Sequence, residues 1–199
     1  MQTESKKTKR IYTKPADINP RVEKLLILEI IRIKSGLTKN ALGKLAGFSS
    51  QLMMIWYDHD DMKLSYLMRI AEAVNIKVRP EFVGTDNPKS ENTYQNDLTS
   101  IRFNDPDGYT PPVDIEYLRK TYPPEMVERF IEGGKTKFVA DLIISKGDPI
   151  TRACRKTGSI NPTNLKHWFK VDDIMISKLY TFAKTYGMKL HWELSAKEK

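Results

Sequence analysis

Few residues of this sequence have the types and the spacing that enzyme chemistry requires. His59, His167 and His191 are dispersed along the chain, and no HExxH or H-x-E pattern places one of them in a metal-binding or catalytic context. The segment Gly133-Gly134-Lys135-Thr136 ends as a phosphate-binding loop does, but Arg129 occupies the position of the required first glycine. We therefore expect neither catalysis nor a bound nucleotide.

The remaining reactive side chains give the same expectation. Asp58, Asp60 and Asp61 are clustered, but they lack the glycine and the closing glutamate of a calcium loop. Cys154 is the single cysteine, so it cannot form an internal disulfide, and it has no CxxC neighbour for zinc. It falls on the predicted inward side of a helix, where a structural thiol is expected. The sequence predicts no metal, no cofactor and no enzyme.

The apolar pattern does not predict a membrane protein or a secreted one. The longest apolar run, residues 25–33, is interrupted by Glu29 and Arg32 and is far shorter than the roughly 20 residues of a membrane span. The N-terminus is polar and basic and has no apolar segment of a signal peptide. A reducing cytoplasm is the predicted location, in association with the nucleoid.

Positive charge is concentrated at the two ends of the chain. The formal net charge is +8, divided as +4 over residues 1–14, +2 over 15–83, −5 over 84–134 and +7 over 135–199. Each Lys or Arg that neutralises a phosphate releases counterions and adds salt-sensitive affinity for a polyanion. Basic ends around an acidic middle therefore suggest two surfaces for nucleic acid, although lysine-rich surfaces also serve solubility.

Helical periodicity and capping residues divide the first half into short helices. Apolar residues recur at helical spacing over residues 20–35, and Gly36 ends that predicted helix. Thr38 can cap a second helix that ends at Gly47, and Ser49 can cap a third helix over residues 50–56. The predicted inward residues of the second helix are Ala41, Leu42 and Leu45.

A loop, a helix and an extended segment complete the first half. Residues 57–62 are polar and are predicted to form the loop. The fourth helix is amphipathic, with Leu64, Leu67, Ala71 and Val74 on one face, and Asn75 is suited to its C-terminal cap. Residues 76–83 have the character of a strand.

Three segments of this half carry a family resemblance: Gly36-Leu37-Thr38, then Ala41-Leu42-Gly43-Lys44-Leu45-Ala46-Gly47-Phe48-Ser49, then Ile70-Ala71-Glu72-Ala73-Val74. They resemble the helix-turn-helix domains of the lambda repressor and Cro family over residues 21–83, about a third of the chain. The resemblance implies a rigid pair of helices whose second member, the recognition helix, enters the DNA major groove.

The same resemblance implies roles for individual residues. Ser49, Ser50 and Gln51 would begin the recognition helix, where Gln51 can pair with adenine and the serines can reach bases or phosphate. Lys39 matches a position suited to a backbone contact. The implied core residues are Phe48, Met53 and Trp56.

The third helix departs from the family pattern because its exposed positions are apolar. Leu52, Met54 and Ile55 join the core residues there, and Tyr57-Asp58-His59 replaces a polar Glu-Asn-Gly segment. Two interpretations stay open: a buried or partner-binding face, or contact with thymine methyl groups. The nearby aspartates are predicted to be solvated loop charges, since they would repel phosphate.

The second half of the sequence repeats the first. A shift of 112 positions without a gap aligns residues of the same type, which include Trp56 with Trp168, Asp61 with Asp173, Ser65 with Ser177, Leu67 with Leu179, Ala71 with Ala183, Lys77 with Lys189 and Glu81 with Glu193. Apolar and polar classes also agree through both fourth helices and the extended segments after them. Duplication explains this agreement better than coincidence does.

The repeat places a second recognition helix after Asn161, which can act as its N-cap, with Pro162 at its first position. Leu165 and Trp168 are predicted to point inward, and residues 188–194 alternate as a half-buried strand that can pair with residues 76–83. The predicted DNA contacts of this copy are Thr163, Asn164, Lys166 and His167 on the helix and Arg152, Arg155 and Lys156 on the helix before it. The alternative is an ordinary solvated face.

The predicted fold is mainly α, with two small helix-turn-helix bundles of four to five helices, each followed by a short β-strand. Residues 1–19 would be a basic flexible arm, 20–83 the first domain, 84–134 an acidic linker with turns and short helices, and 135–199 the second domain, with its copy of the motif at about 135–195.

The predicted function is sequence-specific binding of double-stranded DNA by a bacterial or phage transcriptional regulator. The alternative is a protein-interaction module of the same fold, such as an antitoxin, a phage assembly factor or a DNA-packaging adaptor. Self-association or a protein partner could then use the linker, the strands or the apolar third helix.

Overall fold

A computed structural model describes residues 24–84 and 114–196 of the chain. The predicted arm, residues 1–19, and most of the predicted linker lie outside these ranges. The described part is mainly helical, with ten helices and one two-stranded antiparallel sheet. No described helix is both long enough and apolar enough to span a membrane.

The described elements fall into three groups along the chain. The first comprises α1 (Leu26–Ser35), α2 (Lys39–Leu45), α3 (Ser50–His59), α4 (Leu64–Ala73) and β1 (Ile76–Gly84). The second comprises α5 (Ile115–Thr121) and α6 (Pro124–Glu132), which confirms the two short helices predicted before residue 135. The third comprises α7 (Lys137–Ser145), α8 (Ile150–Thr157), α9 (Pro162–Val171), α10 (Ile176–Thr185) and β2 (Met188–Ala196).

Predicted capping residues end the first helix and begin the second and the third. Gly36 ends α1 in the left-handed conformation at φ 66°. The Thr38 hydroxyl oxygen accepts a hydrogen bond from the Ala41 amide (3.2 Å), and Ser49 does the same for the Leu52 amide (3.2 Å). These caps satisfy amides that have no carbonyl partner in the first turn of a helix.

Two predictions for this region are wrong. The third helix does not end at Trp56: Tyr57 to His59 continue it, and the left-handed Asp60 (φ 48°) ends it. The helix continues because Tyr57 is buried in the core rather than exposed in a polar loop. Leu45 does not point inward. It lies at the last position of α2 and is 57% exposed, and the turn at Ala46 and Gly47 places Ala46 in the core instead.

The elements of the two halves coincide under the 112-residue shift. The bounds of α3, α4 and β1, moved by 112 positions, are those of α9, α10 and β2. Asp172 (φ 51°) ends α9 in the left-handed conformation, as Asp60 ends α3. Because neither residue is a glycine and this conformation is uncommon for other residues, the agreement supports the internal repeat.

A pseudo-twofold axis relates the two halves. Strands β1 and β2 pair antiparallel, which confirms the predicted pairing, and Pro80 lies opposite Trp192 at the centre of the ribbon. A second antiparallel bridge joins Lys63 to Met175. In both pairs the second residue lies 112 positions after the first, so the axis passes through both places.

Each half caps a helix of the other. The Asp173 carboxylate accepts hydrogen bonds from the Ser65 amide (3.0 Å) and hydroxyl (2.7 Å) at the start of α4. Asp61 accepts one from the Ser177 amide (2.9 Å) at the start of α10. Since neither helix has a side-chain cap at its own N-cap residue, the two halves stabilise each other at the axis.

The apolar cores also cross the boundary between the halves. Leu64 and Phe82 of the first half belong to the cluster formed mainly by α5 to α10, and Ile176 belongs to the cluster formed mainly by α1 to α4. Helices α5 and α6 supply Leu118 and Met126 to the cluster formed mainly by α5 to α10. This part of the predicted linker is therefore built into the core beside the second copy.

Candidate nucleic-acid interface

The predicted contact residues of α9 lie on its exposed side. The Asn161 side chain accepts a hydrogen bond from the Thr163 amide (2.7 Å), and Pro162 stands at the first helical position, as predicted. Leu165 and Phe169 face the core and are buried. The four residues on the opposite, exposed side are Thr163, Asn164, Lys166 and His167.

Helix α8 adds a basic surface next to α9. It packs against α9 and buries Ile150, Ala153 and Cys154 on its inner side. Its exposed side carries Arg152, Arg155 and Lys156. Two packed helices thus present the polar and basic residues that were predicted to contact DNA, in the part of the chain with the largest positive charge.

A buried carboxylate that was not predicted binds one lysine of this basic surface. Asp148 is 1% exposed, and its oxygens accept hydrogen bonds from the Lys156 ammonium (2.6 Å) and the Tyr186 hydroxyl (2.9 Å). The Arg152 guanidinium lies 4.0 Å away. Burial, followed by the hydrogen bond to Asp148, raises the pKa of Tyr186 above its ordinary value.

Asp148 therefore neutralises part of the charge of Lys156 while it fixes the position of that side chain. The sequence offers one signal for this residue, an acidic side chain directly before Pro149 and the start of α8. The Tyr186 contact spans 38 residues, however, and no local pattern reveals it.

The predicted contacts of the first half lie on α2 and α3. Gln51 is exposed, Ser50 is partly buried, and the Ser49 hydroxyl oxygen is used as the cap of α3. Lys39 is partly exposed, and its ammonium is turned toward the fold: it lies 3.7 Å from the centre of the Tyr57 ring and 3.7 Å from a Glu29 carboxylate oxygen.

Glu29 explains why Lys39 is held there. Its side chain is fully buried, and its other oxygen accepts a hydrogen bond from the Arg32 guanidinium (2.7 Å). A buried carboxylate is stable only when cations or donors surround it. Burial, with the adjacent charge of Glu29, raises the pKa of Tyr57 above its ordinary value. Lys39 therefore stabilises the core and is less available to a phosphate than the arginines of α8.

The exposed faces of α3 and α9 differ at equivalent positions. Met54, Ile55 and Asp58 on α3 correspond to Lys166, His167 and Lys170 on α9, and all six side chains are exposed. The fold is therefore compatible with either set of residues at this place. The α9 face is basic, whereas the α3 face is apolar and acidic.

Trp168 is the one predicted inward residue of α9 that is only half buried. Its counterpart Trp56 packs against the rings of Phe48 and Tyr66, with centroids 5.0 and 5.3 Å away. The residues at those two positions in the second half are Ile160 and Lys178, which cannot cover an indole ring in the same way. Trp168 instead lines a cleft of about 240 Å³ with His167 and Lys63.

The described residues offer little for catalysis or metal binding. Cys154 is buried, and burial raises the pKa of its thiol to about 11, so the thiol is protonated at neutral pH. Among the residues that the structure describes, no three His, Cys, Asp or Glu side chains are grouped as metal ligands. The polar side chains of α8 and α9 remain the best candidate site.

Comparisons of this chain with protein-family models, with curated proteins and with solved structures gave no match.

Proposed function

We propose that this chain binds double-stranded DNA, with α8 and α9 as a helix-turn-helix that supplies most of the contact. The observation that supports this most is the exposed basic and amide-bearing face of α9 beside the basic face of α8. Lys and Arg neutralise phosphates, and an Asn side chain such as Asn164 can pair with adenine in the major groove. Sequence-specific regulation of transcription, at the nucleoid in the cytoplasm, is the role that we propose for such a surface.

The pseudo-twofold axis favours a duplex as the target. The chain segments that follow α3 and α9 meet at the axis, where Lys63 pairs with Met175. The N-terminal ends of the two helices therefore lie on the sides away from the axis, and symmetric repressors likewise present the N-terminal residues of two recognition helices to successive major-groove faces. One chain would then use two helix-turn-helix copies where related repressors use two subunits.

The charges predict an unequal use of the two copies. Asp58 on the α3 face would repel a phosphate, whereas Lys170 at the equivalent position of α9 would attract one. We therefore propose that α9 provides most of the affinity and most of the base contacts. Gln51 on α3 would make a smaller contribution, in the half of the DNA site that faces the first copy.

A salt titration of binding to a random duplex tests this proposal. Removing Arg152 and Arg155 by substitution with Gln should lower the slope of log K against log [salt] by about 1.8, because each phosphate contact contributes about 0.9. Lys156 is left in place, since its removal would also leave the buried carboxylate of Asp148 without its nearest cation. The matched control is Lys77→Gln with Lys120→Gln, two exposed cations on β1 and α5, which should leave the slope unchanged.

Asn164→Ala tests base reading separately. On a duplex selected for tight binding it should cost about 1–3 kcal/mol, while affinity for random duplexes should stay the same. Absence of any duplex affinity at low salt would refute the proposed function. That result would favour the second candidate, a protein-interaction module such as an antitoxin, a phage assembly factor or a DNA-packaging adaptor, for which the apolar α3 face is the supporting observation.

A further inference from the structure

The exposed face of α3 carries two large apolar side chains that are in contact with solvent. Met54 and Ile55 are 61% and 42% exposed in the middle of the helix. We call these two residues the α3 patch. Neighbouring apolar side chains that remain in water are unfavourable, and such patches commonly mark a contact with another molecule.

The fold does not require this patch to be apolar. The residues of α9 at the positions of Met54 and Ile55 are Lys166 and His167, which are exposed in the same way. The unfavourable exposure of apolar side chains at these two positions therefore occurs in the first half and not in the second. Asp58, next to the patch, makes a nucleic-acid phosphate an unsuitable occupant.

We propose that the α3 patch is a contact between two copies of this chain, in which the two α3 helices pack antiparallel about a twofold axis. The proposal does not depend on DNA binding. Because Gln51 lies one turn before Met54 and Ile55 on the same exposed face of α3, the contact forms in the chain free of DNA and competes with the smaller DNA contact proposed for Gln51. A twofold contact brings the same surface together with itself, so the patch must be complementary to its own rotated copy. The apolar side chains at the middle of α3 meet this condition, because rotation about an axis near Met54 and Ile55 places them against each other.

The charges at the ends of α3 satisfy the same condition. Asp58 is exposed near the C-terminal end of α3, whereas Lys44 is exposed just before the turn that leads to its N-terminal end. In the antiparallel arrangement, Asp58 of each copy lies beside the N-terminal end of α3 and Lys44 of the other copy. Negative charge is stabilised at a helix N-terminus and next to lysine, so both ends of the contact are attractive. A parallel arrangement would bring the two Asp58 side chains together.

The size of the patch sets the expected strength. Two side chains and the ends of one helix cover less than the roughly 800 Å² that each partner buries in a typical stable complex. We therefore expect a dimer that dissociates in the micromolar range and is in equilibrium with the monomer.

Sedimentation velocity of the full chain without DNA, from low to high micromolar concentration, measures this equilibrium. The double variant Met54→Lys with Ile55→His copies the residues of α9, which the fold accommodates, and should raise the dissociation constant at least tenfold. Far-UV circular dichroism should be unchanged. Ile131→Lys is the matched control, since it replaces another apolar side chain, 47% exposed on α6, and should leave the dissociation constant as it was.

Charge reversal tests the orientation of the helices. Asp58→Lys should weaken the dimer, and adding Lys44→Glu in the same chain should restore it, because the two positions face each other across the contact. A chain that stays monomeric over the whole range overturns the proposal, as does a dimer that the Met54 and Ile55 substitutions do not weaken. A dimer that lacks the charge rescue refutes the antiparallel arrangement.

Discussion

Asp172 connects the end of α9 to the start of α7, and its removal is the sharpest test of this packing. The carboxylate accepts hydrogen bonds from the amides of Lys135 and Thr136 and from the Thr136 hydroxyl, each at 2.9 Å. The Lys135 ammonium lies 3.4 Å away. In the first half, Asp60 accepts hydrogen bonds from the amides of Lys24 and Leu25 in the same way.

The expected cost of Asp172→Ala follows from these contacts. Loss of a helix cap costs about 1 kcal/mol. The Thr136 hydroxyl belongs to a residue that is 1% exposed, and a buried polar group left without a partner costs about 1–3 kcal/mol. Alanine in the left-handed conformation of this position adds about 1 kcal/mol. We expect the free energy of unfolding to fall by about 3–5 kcal/mol.

Asp172→Asn is the matched control. Asparagine tolerates the left-handed conformation and keeps one acceptor oxygen, so its cost should be about half as large. Urea unfolding followed by far-UV circular dichroism measures both values. A loss below about 1 kcal/mol for Asp172→Ala would refute the reasoning, since a cap alone would account for it.

The pH dependence gives a second test of the same carboxylate. Burial alone would raise the pKa of Asp172, but the Lys135 and Thr136 amides, the Thr136 hydroxyl and the Lys135 charge together hold it below its ordinary value. The stabilisation from the charged form is therefore complete above the unfolded pKa of about 4 and is lost as pH falls through the lower folded pKa. The difference in stability between the parent and Asp172→Asn should narrow below about pH 4. A constant difference would contradict this explanation.

Two further predictions concern the packing of α3 and α9. Trp56→Ala should cost about 3–5 kcal/mol and Trp168→Ala clearly less, because Trp56 is buried against two aromatic rings whereas Trp168 is only partly buried. Equal losses of stability in urea unfolding would refute this difference. Gly43→Ala would place a Cβ 2.5 Å from Met53 Cγ, so it should destabilise the chain by about 1–3 kcal/mol. In a double-mutant cycle with Met53→Ala, the losses of stability from the two substitutions should not add, because the smaller side chain removes the contact with the new Cβ. Additive losses would exclude a clash between the new Cβ and Met53.

The structure confirms the helix starts that were predicted from capping residues. Thr38, Ser49 and Asn161 each cap a helix that begins at the next residue, because the amide that each side chain accepts lies only two or three positions away. The predicted strands follow from the alternation of apolar and polar residues in the same local way. Two of the wrong predictions arose where tertiary packing decides. Helix α3 continues through Tyr57 because the Tyr57 ring packs in the core. Trp168 is only half buried because Ile160 and Lys178 stand where two aromatic rings pack against Trp56.

The sequence by itself determined the helix starts at Thr38, Ser49 and Asn161 and the basic, exposed face of α9, since these depend on residue type and short spacing. It also determined the 112-residue repeat, because that follows from comparing residue types along the chain. Only the tertiary structure decided how the two copies join. The Asp61 and Ser177 contact spans 116 residues, and the Asp148 and Tyr186 contact spans 38. Such partners are chosen by the packing of whole helices, which brings a carboxylate to an unpaired donor that no local pattern identifies.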